Sequence, residues 1–156
     1  MSPPGEFQSI AIENLTPTGS AQTLTGSYAA TEQSMRVDSK VSMQFQLAYA
    51  KNAGEAAASS KYLDCYLEYT FAKDSEATTG FAVPSSGDWR PYKEEVDDGA
   101  GNSTFQTRHF RILSNDAELS AVFSRPLLCR RARLQVKEVG VAAFGTVAVL
   151  ATAQAI

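Results

Sequence analysis

The chain of 156 residues contains two cysteines, one histidine and one tryptophan, and these shortages exclude several kinds of protein. Two cysteines, Cys65 and Cys129, are too few for a disulfide framework. One histidine, His109, and two separated cysteines do not make a four-ligand zinc site without carboxylates from elsewhere. No apolar run approaches the roughly 20 residues that cross a bilayer, and no basic segment precedes an apolar run at the N-terminus. We therefore expect no membrane span and no signal peptide.

The net charge of −3 is small, but its distribution along the chain is uneven. Residues 125–156 hold five basic residues and one acidic residue, a balance of +4, whereas residues 1–124 hold nine basic and sixteen acidic residues, a balance of −7. The negative net charge argues against non-specific binding to nucleic acid or to an anionic membrane. Opposite charges at the two ends of the sequence favour association with copies of the same chain or with another protein.

Apolar residues alternate with polar ones along most of the chain, and this spacing predicts β-strands with one buried and one exposed face. The clearest runs are Val41–Tyr49 and Leu63–Phe71. Five more strands are predicted at Phe7–Glu13, Thr104–Leu113, Glu118–Ser124, Ala132–Val141 and Thr146–Ala153. No segment has the length and periodicity of a crossover helix, so a parallel sheet is not expected. The sequence predicts an all-β protein, a single antiparallel β-sandwich of jelly-roll type.

Residues 1–15 are expected to form an N-terminal arm and the first strand, and residues 16–156 the rest of the sandwich domain. The linker Lys51–Lys61 predicts a hairpin with a long loop between its flanking strands, and a short helical turn at Glu55–Ser60 is the alternative at its tip. Ala142–Gly145 is expected to be the turn between the last two strands. The predicted core residues are Phe45, Leu47, Leu67, Tyr69, Leu134, Val136, Val147 and Val149.

No catalytic or metal-binding constellation emerges, so we expect a non-enzymatic protein without a cofactor. His109 lies within a predicted strand as a solvent-facing residue, with no local signature for a nucleophile beside it. The cysteines have apolar neighbours, which favours buried free thiols, and a Cys65–Cys129 bridge is the alternative. The acidic loop Glu94–Asn102 offers oxygen ligands for calcium. Its spacing departs from the EF-hand pattern, and we favour a solvated loop without metal.

The segment Arg125–Arg133 has the highest density of basic residues, and alternation places Arg131 and Arg133 on the outer face of a strand. Nucleic-acid recognition usually adds exposed aromatic residues or a reading helix, which the sequence does not place there. A solvated cationic face and a contact with an acidic protein surface therefore both stay open. Trp89 is expected either to close one end of the core or to stack on a sugar ring. The candidate partner-binding residues are Arg130, Arg131, Arg133, Trp89 and Tyr92.

Two short motifs resemble segments of a known class of proteins. Ala132–Gly140 followed by Gly145–Val149 resembles the closing hairpin of small β-sandwich virion proteins of tailed phages, and the turn Gly87-Asp88-Trp89 resembles a turn in such proteins. The resemblance implies a head decoration (cement) protein, or a tail or adaptor subunit, that bridges and stabilises shell subunits in the virion after assembly in the host cytoplasm. It implies that the partners are the major shell protein and copies of the chain itself, and it favours a trimer as the homo-oligomer. It implies no catalytic residues. A carbohydrate-binding or receptor-binding module, with Trp89 and Tyr92 as its site, is the alternative.

Overall fold

The computed structural model describes residues 10–17, 20–37, 42–71, 75–77, 80–82, 86–115, 118–123 and 129–154. In chain order its strands are β1 (Ile10–Asn14), β2 (Gln22–Thr23), β3 (Ala29–Ala30), β4 (Met35–Arg36), β5 (Ser42–Ala50), β6 (Tyr62–Thr70), β7 (Ser75–Ala77), β8 (Gly80–Ala82), β9 (Arg90–Pro91), β10 (Lys93–Asp97), β11 (Ser103–Thr107), β12 (His109–Leu113), β13 (Glu118–Phe123), β14 (Arg131–Val139) and β15 (Thr146–Gln154). A 3-10 turn covers Ser86–Asp88. Within the described ranges, no helix has the length and apolarity needed to cross a bilayer.

Two antiparallel sheets form the body of the protein. The first sheet has the order β1-β15-β5-β13, and β2 also pairs with β15. The second has the order β12-β6-β14-β3, with β4 against β14 and β9 against β6. The strands β10 and β11 form a separate two-stranded ribbon, as do β7 and β8. The sequence-based prediction of an all-β sandwich is confirmed.

The core lies between the two sheets and is built from the inward residues of their central strands. In β5 and β15 every second side chain is buried, as period-two alternation requires. The predicted core is confirmed for seven of its eight residues, which are buried: Phe45, Leu47, Leu67, Leu134, Val136, Val147 and Val149. The eighth, Tyr69, is partly buried and packs against the core. Met43, Leu63, Cys65, Ile112 and Ala151 extend the same cluster.

The predicted hairpin between the two clearest strands is wrong. β5 pairs with β13 and β15 in the first sheet, whereas β6 pairs with β12, β14 and β9 in the second. The linker Lys51–Lys61 therefore carries the chain from one sheet to the other, and it contains turns rather than the alternative helix. Alternation specifies which face of a strand is buried but contains no information about its neighbour, because both arrangements bury the same side chains.

The expected turn at Ala142–Gly145 also joins two sheets, since β14 and β15 pair with different strands and not with each other. The closing hairpin on which the resemblance depended is therefore absent as a paired unit. Gly145 lies so close to the end of β5 that a Cβ atom there would be 2.1 Å from the Ala50 carbonyl oxygen. Gly140 has a φ of +81° and lies equally close to Ser60. The two connections thus pack against each other at one end of the sandwich.

Two buried carboxyl groups hold this end together. Glu55 accepts hydrogen bonds from the Lys61 ammonium and from the backbone N–H groups of Ala142 and Ala143, all at 2.7 Å. These donors, Lys61 first, lower the pKa of Glu55 to about 2. Glu138 is 2% exposed and accepts from the Tyr49 hydroxyl at 2.5 Å and the Gly145 N–H at 2.7 Å. Burial first, and then the hydrogen bond to Glu138, raises the pKa of Tyr49.

The predicted strand Thr104–Leu113 is divided in two. Its first half, β11, pairs with β10 in the ribbon, and its second half, β12, pairs with β6 at the edge of the second sheet. The break falls at Arg108, whose N–H donates to the Tyr92 carbonyl at 3.1 Å. The described part of the first predicted strand is β1, and residues 1–9, which include the predicted arm, lie outside the described residues.

Candidate functional site

The outer face of the second sheet brings together most of the predicted partner-binding residues. Its central strand β6 directs Tyr62, Asp64, Tyr66 and Glu68 outward, because the intervening Leu63, Cys65 and Leu67 are in the core. The neighbouring strands add basic side chains by the same alternation. The outward charged residues of β4, β6, β12 and β14 are Arg36, Arg111, Arg131, Arg133 and Lys137 against Asp64 and Glu68, a balance of +3. We call this surface the cationic face.

Asp64 is the centre of a hydrogen-bond cluster on the cationic face. The Tyr28 hydroxyl donates to Asp64 Oδ2 at 2.7 Å, and His109 Nδ1 lies 3.2 Å from Asp64 Oδ1. The Tyr66 ring packs edge-on against the rings of both Tyr28 and His109, with centroids 5.0 and 5.4 Å apart. Burial, followed by the hydrogen bond to Asp64, raises the pKa of Tyr28. The cluster fixes the carboxyl group of Asp64, which is 5% exposed, beneath half-exposed rings.

Glu68, 8% exposed, organises a second group on the same face. Its Oε2 atom accepts from Arg133 Nε at 2.8 Å and from Gln135 Nε2 at 3.0 Å. The Arg133 guanidinium lies 4.1 Å from the centre of the Trp89 ring, a cation–π geometry. Trp89 is 5% exposed, so its ring offers no open face to a sugar, and it lies under Arg133 rather than within the core cluster. Arg133, expected on an open outer face, is mostly enclosed by these partners.

Aromatic rings accompany the basic residues throughout this face, a feature that the sequence analysis missed. Arg111 lies 4.6 Å from the Tyr62 ring centre, and Lys137 lies 4.4 Å from that of Tyr28. These pairs come from the register of β12 and β14 against β6, which local sequence patterns do not specify. The only local signal was the outward series of tyrosines and carboxylates in β6 itself.

The remaining predicted partner-binding residues flank this group. Arg130 and Tyr92 are half-buried and are held by backbone hydrogen bonds to Thr70 and Leu67. Arg131 donates to Ser34 at 3.4 Å, and its backbone pairs with that of Arg36. A pocket of about 80 Å³ lies here, lined by Thr31, Glu32, Gln33, Ser34, Trp89, Arg131 and Arg133. The Trp89 indole N–H is buried without a hydrogen-bond partner among the described residues.

The pair of His109 and Asp64 resembles two thirds of a hydrolytic triad, but the described residues place no nucleophile against the His109 ring. The described hydrogen-bonding partners of the His109 ring are Asp64 and Tyr28. A triad needs a Ser, Thr or Cys on the other ring nitrogen. Cys65 and Cys129 are buried free thiols, as the sequence analysis favoured, and burial raises the pKa of Cys65 to about 12.

The predicted acidic loop Glu94–Asn102 is only partly a loop, because residues 94–97 belong to β10 and residues 98–102 form the tip of the ribbon. Asp97 Oδ1 accepts from the Gly99 N–H, and Asp98 Oδ1 accepts from the N–H groups of Ala100 and Asn102. These bonds, that from Ala100 first, lower the pKa of Asp98. Both carboxylates therefore stabilise the turn, with Gly99 and Gly101 at φ of +78° and +85°. Across the described residues, no group of His, Cys, Asp and Glu is arranged to hold a metal ion.

Residues 93–107, which we call the acidic ribbon, are exposed along most of both strands. They hold four carboxylates and one lysine, a balance of −3. Phe105 is 67% exposed and lies opposite Glu95, whereas Val96, 41% exposed, points to the other side of the ribbon. The ribbon therefore presents an apolar side chain on each of its faces, and it carries the sign of charge opposite to that of the cationic face.

The outer face of the first sheet differs from both of these surfaces. Its two central strands, β5 and β15, contain no charged residue in eighteen positions. Their outward side chains include Gln44, Gln46, Ala48 and Leu150, and the adjacent Ile12 of β1 is 63% exposed. We call this surface the uncharged face.

Comparison of the chain with protein-family models, with curated proteins and with solved structures finds no match.

Proposed function

We propose that this protein is a non-enzymatic structural subunit of a virion, of the decoration (cement) type, which bridges and stabilises shell subunits. The observation that carries the proposal is the acidic ribbon, which is exposed on both faces and presents Phe105 and Val96 to solvent. An isolated two-stranded ribbon is only marginally stable in water, because it has no sheet face to bury. Such a ribbon gains stability when a neighbouring subunit covers it, as happens in repetitive assemblies.

The strand order supports a jelly-roll form of the sandwich. Counting β3 and β4 as one strand position, the eight positions of the body are ordered 1-8-3-6 in the first sheet and 2-7-4-5 in the second. This is the order that two interlocked Greek keys produce. Jelly rolls occur in viral capsid proteins and also in lectins. The order therefore agrees with a virion role at the level of fold, and the surfaces must decide between the two functions.

The uncharged face supports a structural role. Sheets that face water on one side usually alternate apolar and polar residues, with charges among the polar ones. The outward positions of β5 and β15 hold no charged residue, and such a surface suits contact with another protein, since charged residues are depleted at the centres of interfaces. We propose that this face lies against the shell protein.

Carbohydrate binding, the alternative, gains no comparable support. It requires an exposed Trp89 beside Tyr92, but the indole ring is 5% exposed and Arg133 covers it. A glycan array should therefore retain the original chain no better than it retains a Trp89→Phe variant. Specific retention of the original chain, lost in that variant, would favour the alternative.

The direct test is the composition of virions. Purified particles from the lysate that yields this protein should contain it in a fixed ratio to the major shell protein. The ratio should be unchanged after a second density gradient. Particles assembled without it should lose their contents at lower temperature or on dilution of salt, and added protein should restore their resistance. Absence from the particles, or a ratio that varies between preparations, would contradict the proposal.

A further inference from the structure

The acidic ribbon and the cationic face have charges of opposite sign. The ribbon carries −3 over residues 93–107, where Glu94 is also paired with the adjacent Arg108 at 3.1 Å, and the face carries +3 over the outward residues of β4, β6, β12 and β14. Both surfaces have exposed residues on the same chain, among them most of the two ribbon strands and Arg36 and Arg111 of the face. A chain that carries two complementary surfaces in different places can bind to a copy of itself.

We infer that the acidic ribbon of one copy docks on the cationic face of the next copy, so that subunits associate head to tail. The inference rests on the proposed role as an assembling subunit and names the contact between copies. A head-to-tail contact of this kind closes into a ring when the rotation between subunits permits it, and otherwise continues as a filament.

The dimensions of the two surfaces agree. Five paired residues in each ribbon strand span about 17 Å, and four strands of a sheet span about 19 Å across. One ribbon can therefore lie across the cationic face. The side of the ribbon that carries Phe105 also carries Glu95, its cross-strand neighbour, so one face offers both an aromatic ring and a carboxylate.

The cationic face offers matching partners. Tyr66 and His109 present half-exposed rings, against which Phe105 can pack edge-on. The pocket beside Trp89 is lined by Arg131 and Arg133, with one carboxylate, that of Glu32, also in its lining. A carboxylate is the group that such donors bind best. Asp64 and Glu68 do not oppose it strongly, because each is already bonded to donors on its own chain.

Two variants separate the two halves of this contact. The face variant Arg36→Glu/Arg131→Glu reverses two cross-strand neighbours and leaves Arg133 in place, since a glutamate at 133 would repel the buried Glu68. The ribbon variant Glu95→Lys/Phe105→Ser changes one exposed cross-strand pair and leaves the turn bonds of Asp97 and Asp98 intact. Ala56→Glu/Ala57→Glu adds acidic residues at two exposed positions outside the ribbon and both sheet faces and is the matched control. Circular dichroism and thermal melting establish that each variant folds.

The test is sedimentation velocity at low salt of each variant alone and of an equimolar mixture. The original chain and the Ala56/Ala57 control should associate, and each of the other two variants should have an association constant at least tenfold lower. The mixture should form a 1:1 complex and nothing larger, because one variant retains a working ribbon and the other a working face. A mixture that stays monomeric, or a ribbon variant that associates as the original chain does, would overturn the inference. Neither result decides the proposed function, because the composition of virions tests that function independently.

Discussion

Replacing Phe45 with alanine should lower the free energy of unfolding by about 3–5 kcal/mol, the usual cost of removing a buried phenylalanine ring. Phe45 belongs to β5 of the first sheet and is completely buried. Leu67→Ala, in β6 of the second sheet, should cost about 2–5 kcal/mol for the same reason, since Leu67 is also completely buried. Both side chains belong to one core cluster that the two sheets form together.

Urea unfolding followed by circular dichroism measures these changes. Gln44→Ala is the control, because Gln44 lies beside Phe45 in β5 but is exposed, and a surface substitution of this kind should stay within about 0.5 kcal/mol of the original. If Gln44→Ala were the destabilising change and Phe45→Ala neutral, the faces of β5 would be reversed, because a slip of one residue exchanges the two sides of a strand.

Replacing Glu138 with alanine should have the second large effect. Its side chain is buried at the end of the sandwich, where it accepts from the Tyr49 hydroxyl and the Gly145 N–H. Alanine leaves both donors without an acceptor, and each buried unsatisfied donor costs about 1–3 kcal/mol. The loss should appear as a lower midpoint of urea unfolding.

Tyr49→Phe separates the two bonds. It removes one donor and leaves Glu138 with the Gly145 N–H, so it should cost about 1 kcal/mol, less than Glu138→Ala. Glu138→Gln retains one side-chain oxygen, so its cost in unfolding free energy should lie between those of Tyr49→Phe and Glu138→Ala. Equal stability of Glu138→Ala and the original chain would mean that the connections at this end do not depend on the carboxyl group.

Much of the fold could be predicted because alternation is a local property. The inward residues of β5, β6, β14 and β15 follow directly from their positions in the sequence. The assignment of β5 and β6 to one hairpin failed because pairing is set by distant contacts. Glu55 and Gly145, which bind the connecting segments to each other, have no signature in the sequence around them.

Alternation also allowed part of the candidate site to be predicted. Arg131 was correctly placed on an outward face, since its neighbour Ala132 is buried. The position of Trp89 beneath Arg133 and the pairing of Asp64 with His109 depend on the register between strands far apart in sequence. The ribbon was missed because its second strand and β12 form one continuous alternating run, with no turn residue at Arg108 to divide them.

The central claim is that the protein acts by assembling through surfaces of opposite charge. The measurement that tests it most directly is the mass of the original chain in sedimentation velocity, over a concentration series at roughly 0.05 M and 0.5 M salt, where screening lengths differ severalfold. Species larger than a monomer should form at low salt, and their share should grow with protein concentration. At high salt the association constant should be at least tenfold lower. A monomer at every concentration, or association that strengthens with salt, would contradict it.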